Sequence, residues 1–152
     1  MKTSILIVGK KSFIGSNLFN SLKIFFFVKI VKFEDLRNKK ENYYKKFNYI
    51  INCTSNNGYN NELYNFKNDH DLLIAKKIQK LQTIQIFLSS RKVYASKNNI
   101  RETQKTSPRC HYSKNKIKTE NKLKELLKKK LLILRISNLI GINNFKNKKR
   151  KL

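Results

Sequence analysis

Apolar residues run along this chain in two alternating rhythms, and those rhythms predict its elements. Ser4–Val8 is a short unbroken run of strand character, as expected of a strand covered on both faces. From Phe13 the period lengthens: Ile14, Leu18 and Leu22 recur at helical spacing. Residues 26–33 return to strand through the β-branched Val28, Ile30 and Val31, and Tyr49–Cys53 predicts a third strand. Leu63, Phe66, His70, Ile74, Ile78 and Leu81 then keep helical spacing over a longer stretch. Thr83–Ser89 predicts a fourth strand. Tyr112 to about Lys129 reads as a helix through Ile117, Leu123, Leu126 and Leu127, and Leu131–Leu134 as a fifth strand.

Strands separated by helices pair in parallel through right-handed crossovers, so the pattern predicts an α/β chain built on a parallel sheet. No repeat and no Gly/Ser- or Pro-rich linker divides it. One domain is expected over residues 1–145, followed by a basic, disordered tail over 146–152. In such sheets ligands sit beyond the carboxyl ends of the strands, which is where chemistry is sought.

Charge changes this picture only in part. Among 152 residues, 35 are Lys or Arg and 9 are Asp or Glu, a formal net charge of +26. That balance favours polyanions such as nucleic acid or an anionic membrane surface. The lysines, however, are spread over every segment, and Lys, Asn, Ile and Phe are all residues of A/T-rich codons. Compositional drift is therefore preferred here to a dedicated nucleic-acid surface. The apolar run Ile5–Val8 is too short for a signal peptide, and Ile24–Val28 is too short to span a bilayer. Cys53 and Cys110 form no CxxC pair, which points to a reducing cytoplasm, and with two scattered histidines they suggest no metal site.

The first strand runs straight into Gly9-Lys10-Lys11-Ser12-Phe13-Ile14-Gly15 and then a helix. That is the context of a dinucleotide fingerprint: one glycine for the tight turn, another for close helix–strand packing. The N–H groups opening the helix face a pyrophosphate. With four glycines in the whole chain, two at this spacing carry weight. An acid after the second strand would hold the adenosine ribose; Glu34 and Asp35 both qualify, and Glu34 is favoured. Lys10, Lys11 and Arg37 could instead neutralise a 2′-phosphate, so NAD and NADP both remain open. Further on, Tyr112 and Lys116 stand at i and i+4 on one helix face. A nearby ammonium favours a phenolate, and a serine hydroxyl beside the pair could hold a substrate oxygen. In so lysine-rich a chain the Tyr-x-x-x-Lys spacing alone is weak.

Order and context are stronger. Ile5-Leu6-Ile7-Val8-Gly9 through Gly15-Ser16-Asn17-Leu18, then Ser89-Ser90-Arg91-Lys92-Val93-Tyr94, Pro108 and Tyr112-x-x-x-Lys116, resemble the extended short-chain dehydrogenase/reductases. This is the NAD-dependent epimerase/dehydratase group acting on sugar nucleotides. Ser12 holds the place of that family's middle glycine. The resemblance runs from Lys2 to about Phe145 and looks most like the dTDP-4-dehydrorhamnose reductase branch, with the sugar epimerases close behind. It implies a Rossmann-type, doubly wound, three-layer αβα fold and NAD or NADP as cofactor. By position, Gly9, Ser12, Phe13, Ile14, Gly15, Cys53, Thr54 and Ser89, with Tyr112 and Lys116, would contact that cofactor. Ser90 would hold the substrate oxygen, Tyr112 act as acid/base and Lys116 activate it. Asn65 and Asn138 would lie on the substrate side.

The family continues into a smaller substrate-binding part, whereas this sequence stops at Leu152. A nucleotide-sugar pocket would then be open on one side, and uncovered surfaces would favour self-association, a homodimer included. Three functions stay in view. They are a sugar-nucleotide reductase, epimerase or dehydratase, a cofactor-binding relative with little turnover, and, least favoured, a basic nucleic-acid-binding protein.

Overall fold

The computed structural model describes residues 2–96 and 99–139; the expected tail and the end of the expected domain lie outside them. Five strands form one sheet: β1 (Ser4–Val8), β2 (Phe27–Val31), β3 (Tyr49–Asn52), β4 (Ile84–Ser90) and β5 (Leu131–Ile136). Every pairing is parallel, in the order β2-β1-β3-β4-β5, with registers such as Ile7 beside Ile30 and Ile51, and Leu88 beside Leu134. The chain leaves β1 towards β2 on one side and β3 on the other. The switch point therefore falls at the carboxyl ends of β1 and β3, where ligands bind in open α/β sheets.

Alternation along the strands sorts the side chains into two layers. Ile5, Ile7 and Ile51 face α1 (Phe13–Leu22), whose Leu18, Phe19 and Leu22 pack on them. Leu6, Val8, Ile50 and Phe87 point the other way, into a larger core with α2 (Glu41–Tyr44), α3 (His70–Ile78) and α4 (His111–Leu127). Side chains as fully buried as Leu6, Ile50 and Phe87 each contribute about 1.5–3 kcal/mol relative to exposure. The result is a three-layer αβα sheet sandwich. On the α1 side no described helix covers β4 and β5, and Leu132 and Leu134 remain 48% and 42% exposed beside Ile86 and Leu88.

The sequence periodicity overshoots in one region. Leu63 and Phe66 match helical spacing, yet α3 begins only at His70, because Asp69 caps it by accepting from the N–H groups of Asp71 and Leu72. The preceding Asn-rich segment forms turns, leaving Leu63 and Phe66 on the surface. The second strand is shorter than expected: Phe33 leaves it for a 3-10 turn over Glu34–Leu36. In the other direction, β5 extends two residues further, to Ile136. The helix α2, a single turn, went unsignalled. No described helix is long and apolar enough to cross a membrane.

Candidate cofactor and active site

Gly9 follows β1 at φ +129°, a conformation that L side chains rarely adopt. Its N–H and that of Lys10 both donate to the carbonyl of Val31, at 2.8 and 3.0 Å, tying the loop to the end of β2. Gly15 serves a different need: a Cβ there would lie 2.4 Å from the carbonyl oxygen of Gly9. Between them Ser12 is the N-cap of α1, with φ −88° and ψ 142°, ordinary extended backbone that needs no glycine. Its Oγ accepts from the N–H of Gly15 at 2.9 Å. The N–H groups of Phe13 and Ile14 remain as the orphan donors of the first turn. A floor without Cβ atoms and two outward N–H groups at a helix N-terminus fit a diphosphate.

The two acids after β2 separate cleanly. Asp35 turns back to accept from the N–H of Lys32 at 3.1 Å, whereas Glu34 is exposed and makes no ion pair among the described residues. Beside β1, the N–H of Cys53 donates to Val8. Its half-buried thiol is pushed up to about 12 by burial and then by the Asp71 charge. Thr54 donates to Asn52 Oδ1 at 2.7 Å and meets His70 Nδ1 at 2.8 Å. Since Asn52 Nδ2 donates to Asp71 Oδ2 and to the carbonyl of Thr54, its Oδ1 must face the hydroxyl of Thr54. The Thr54 oxygen therefore accepts from His70, whose ring stacks on Phe33 at 3.5 Å.

A cavity of about 200 Å³ at the carboxyl edge brings Ser90, Tyr112 and Lys116 together with Ile14, Cys53 and Thr54. Ser90 ends β4, while Tyr112 and Lys116 project from the first turns of α4. That helix is started by Cys110, whose N–H donates to Ser113 Oγ at 3.2 Å. Burial raises the Tyr112 phenol above its usual range, against a lowering hydrogen bond from Ser90. The Lys116 ammonium does not depress it as its i+4 position suggested. Nζ donates instead to the carbonyl of Leu88 at 2.8 Å and lies 4.7 Å from the Phe87 ring centre, against 5.7 Å from that of Tyr112. Burial lowers the Lys116 pKa; the charges of Asp71, Asp69 and Glu120 oppose that shift.

Other expected positions are placed differently. Ser89 borders the same cavity, but its hydroxyl donates to the buried Glu120 at 2.5 Å, on the α4 side of the sheet. Asn65 lines a separate cavity, and its Oδ1 accepts from the N–H of Lys67. Asn138 is exposed, and its neighbours Ser137 and Leu139 border the site instead.

Sequence reasoning missed the support beneath these groups. Asp71, fully buried, accepts from Asn52 and Gln85 and is pushed up to about 7, chiefly by desolvation and then by Asp69. Glu120 binds Arg135 through Nε at 3.0 Å and Nη2 at 2.6 Å. The only signal of these hubs in the sequence is polar residues at positions that should be apolar, such as Asn52, Gln85 and Glu120.

No family model matches the chain, and no curated protein is similar to it in sequence. Solved structures are similar in fold. A dTDP-4-dehydrorhamnose reductase from Clostridium acetobutylicum is 22% identical with a TM-score of 0.71, over 88% of this chain and 52% of that one. The dTDP-4-dehydrorhamnose reductase from Bacillus anthracis, in complex with NADP, is 18% identical with a TM-score of 0.71, over 90% and 54%. A UDP-glucuronic acid 4-epimerase from Bacillus cereus, in complex with NAD, is 14% identical with a TM-score of 0.67, over 89% and 56%. The chain thus spans about half the length of these structures and has the Rossmann-type fold of nucleotide-sugar reductases and epimerases.

Proposed function

We propose that the chain is the NAD(P)-binding part of a nucleotide-sugar reductase, with the epimerase and dehydratase activities as neighbouring possibilities on the same site. One observation carries this reading. Ser90 of β4 and Tyr112 and Lys116 of α4 share one cavity with Ile14, from the start of α1. The N–H groups of Phe13 and Ile14 would hold a diphosphate, Glu34 would take a ribose hydroxyl, and Cys53 and Thr54 would contact the dinucleotide. When bound, the nicotinamide supplies or takes the hydride.

The protein's own part is proton handling and positioning. Ser90, whose Oγ accepts from the N–H of Lys92 at 3.2 Å and keeps its own proton to donate, would hold the substrate oxygen. A phenol raised above its usual pKa keeps its proton at neutral pH, which suits donation to a developing alkoxide. Lys116, released from the carbonyl of Leu88, would hold a cofactor ribose hydroxyl and bring its positive charge to Tyr112. Asn138, exposed beside the site, is left to contact the sugar part.

The same raised phenol supports a second reading, cofactor binding with little turnover. The two separate in one assay: NADPH and NADH oxidation with dTDP-4-keto sugars, parent against Tyr112→Phe. The reductase reading expects a loss of at least about 100-fold in the variant. Parent rates no higher than the variant's leave only binding.

A further inference from the structure

Three features outside the cofactor site meet on the outer surface of α4 and the loop packed against it. The first is a row of charge. Lys114, Lys118 and Lys122 are all exposed and stand at four-residue steps, each advancing about 6 Å along the helix. Like charges at that spacing repel, and of the three only Lys122 has an acidic partner, Glu125 at 2.9 Å. Lysines also stand exposed on α3, at Lys76 and Lys77, but adjacent and not in a row along the helix, and α1 carries no charged residue from Phe13 to Leu22.

The second feature is exposed apolar surface beside that row. Asn115 of α4 donates to the carbonyls of Tyr59 and Glu62 at 2.8 and 3.0 Å, pinning the loop that precedes α3. That loop holds Leu63 79% exposed and Phe66 53% exposed, and its Tyr64 ring lies 5.8 Å from Lys118 Nζ. The third is a cavity of about 240 Å³ between loop and helix, lined by Asn57, Asn65, Asn68 and Asn115 together with Leu63 and one carboxylate, Glu62. Carboxamides pair with base edges, exposed rings stack on bases, and lysine rows neutralise successive phosphates.

We propose that this face binds single-stranded nucleic acid, its phosphates along the α4 lysine row and its bases against Phe66 and in the asparagine-lined cavity. Unpaired bases are required, because a duplex hides the faces that would stack and enter the cavity. An anionic membrane fits less well: the apolar side chains exposed on this face, Leu63 and Phe66, stand on the loop, and α4 itself exposes none to insert.

Net charge alone would also attract RNA, so the test compares variants of equal charge. One replaces Lys114, Lys118 and Lys122 with Gln; the other replaces the exposed Lys2, Lys45 and Lys46. Fluorescence anisotropy with a short labelled single-stranded RNA is read across a salt series, after circular dichroism shows all variants folded. The slope of log affinity against log salt should fall by about 2 in the first variant and by less than half as much in the second. Phe66→Ala should weaken binding about tenfold at every salt, leaving the slope unchanged. Equal losses in the two triple variants overturn the proposal, as does a parent chain that prefers duplex RNA or phosphatidylserine vesicles to the single strand.

Discussion

The two ends of the candidate cofactor site are built in opposite ways. At the phosphate end, seven consecutive residues form the whole device. Its donors are backbone N–H groups, and its tolerances are set by two missing Cβ atoms. At the other end, Ser90, Tyr112 and Lys116 come from β4 and α4. They stand above two buried carboxylates, Asp71 and Glu120. The first end is fixed by close backbone approach and by two hydrogen bonds to the Val31 carbonyl. The second is held by charges that desolvation penalises, and so it should respond to pH and to loss of a single partner.

That contrast can be broken by mutation. The largest effect should come from Gly15→Val, which drives a side chain into the Gly9 carbonyl. Urea denaturation should show a loss of about 2–4 kcal/mol, with dinucleotide binding abolished. Glu120→Ala should cost about 2–3 kcal/mol in the same assay, since it strands Ser89 and a partly exposed Arg135 that can regain water. Cofactor affinity should change less than in Gly15→Val.

Asp71 sharpens the comparison through pH. Its folded pKa, about 7, lies above the ordinary carboxylate value, so the folded state holds this proton more tightly than the unfolded chain. Its contribution is fully present below about pH 4 and is lost as pH rises through 7. In Asp71→Asn the fall in stability between these values should flatten. The slope is diagnostic, because an amide facing Asn52 and Gln85 also shifts the offset. An unchanged slope would remove Asp71 as the titrating group. The smallest structural effect belongs to Tyr112→Phe: stability should stay within about 1 kcal/mol of the parent, with dinucleotide affinity within a few-fold.

The same division explains what could be read from the sequence. The tight turn from β1 into α1 was legible because its residues are contiguous and follow a strand; Ser12 within it is an ordinary helix cap. All five strands and the three longer helices follow from apolar period. The start of α3 did not, since the Asp69 cap overrides a period that continued through Leu63 and Phe66. The Asn52–Asp71 and Glu120–Arg135 pairs escaped because their partners lie 19 and 15 residues apart and only burial makes them matter. The commitment of Ser89 to Glu120 was hidden for the same reason: which of two adjacent serines faces the cavity depends on the pleat.

Hydrogen exchange on adding NADPH or NADH tests most directly whether the two ends form one site. Slowed exchange is expected at Phe13–Gly15 and, in the same titration, around Tyr112–Lys116 and Ser90. Protection at one end alone, or none at saturating dinucleotide, would contradict it.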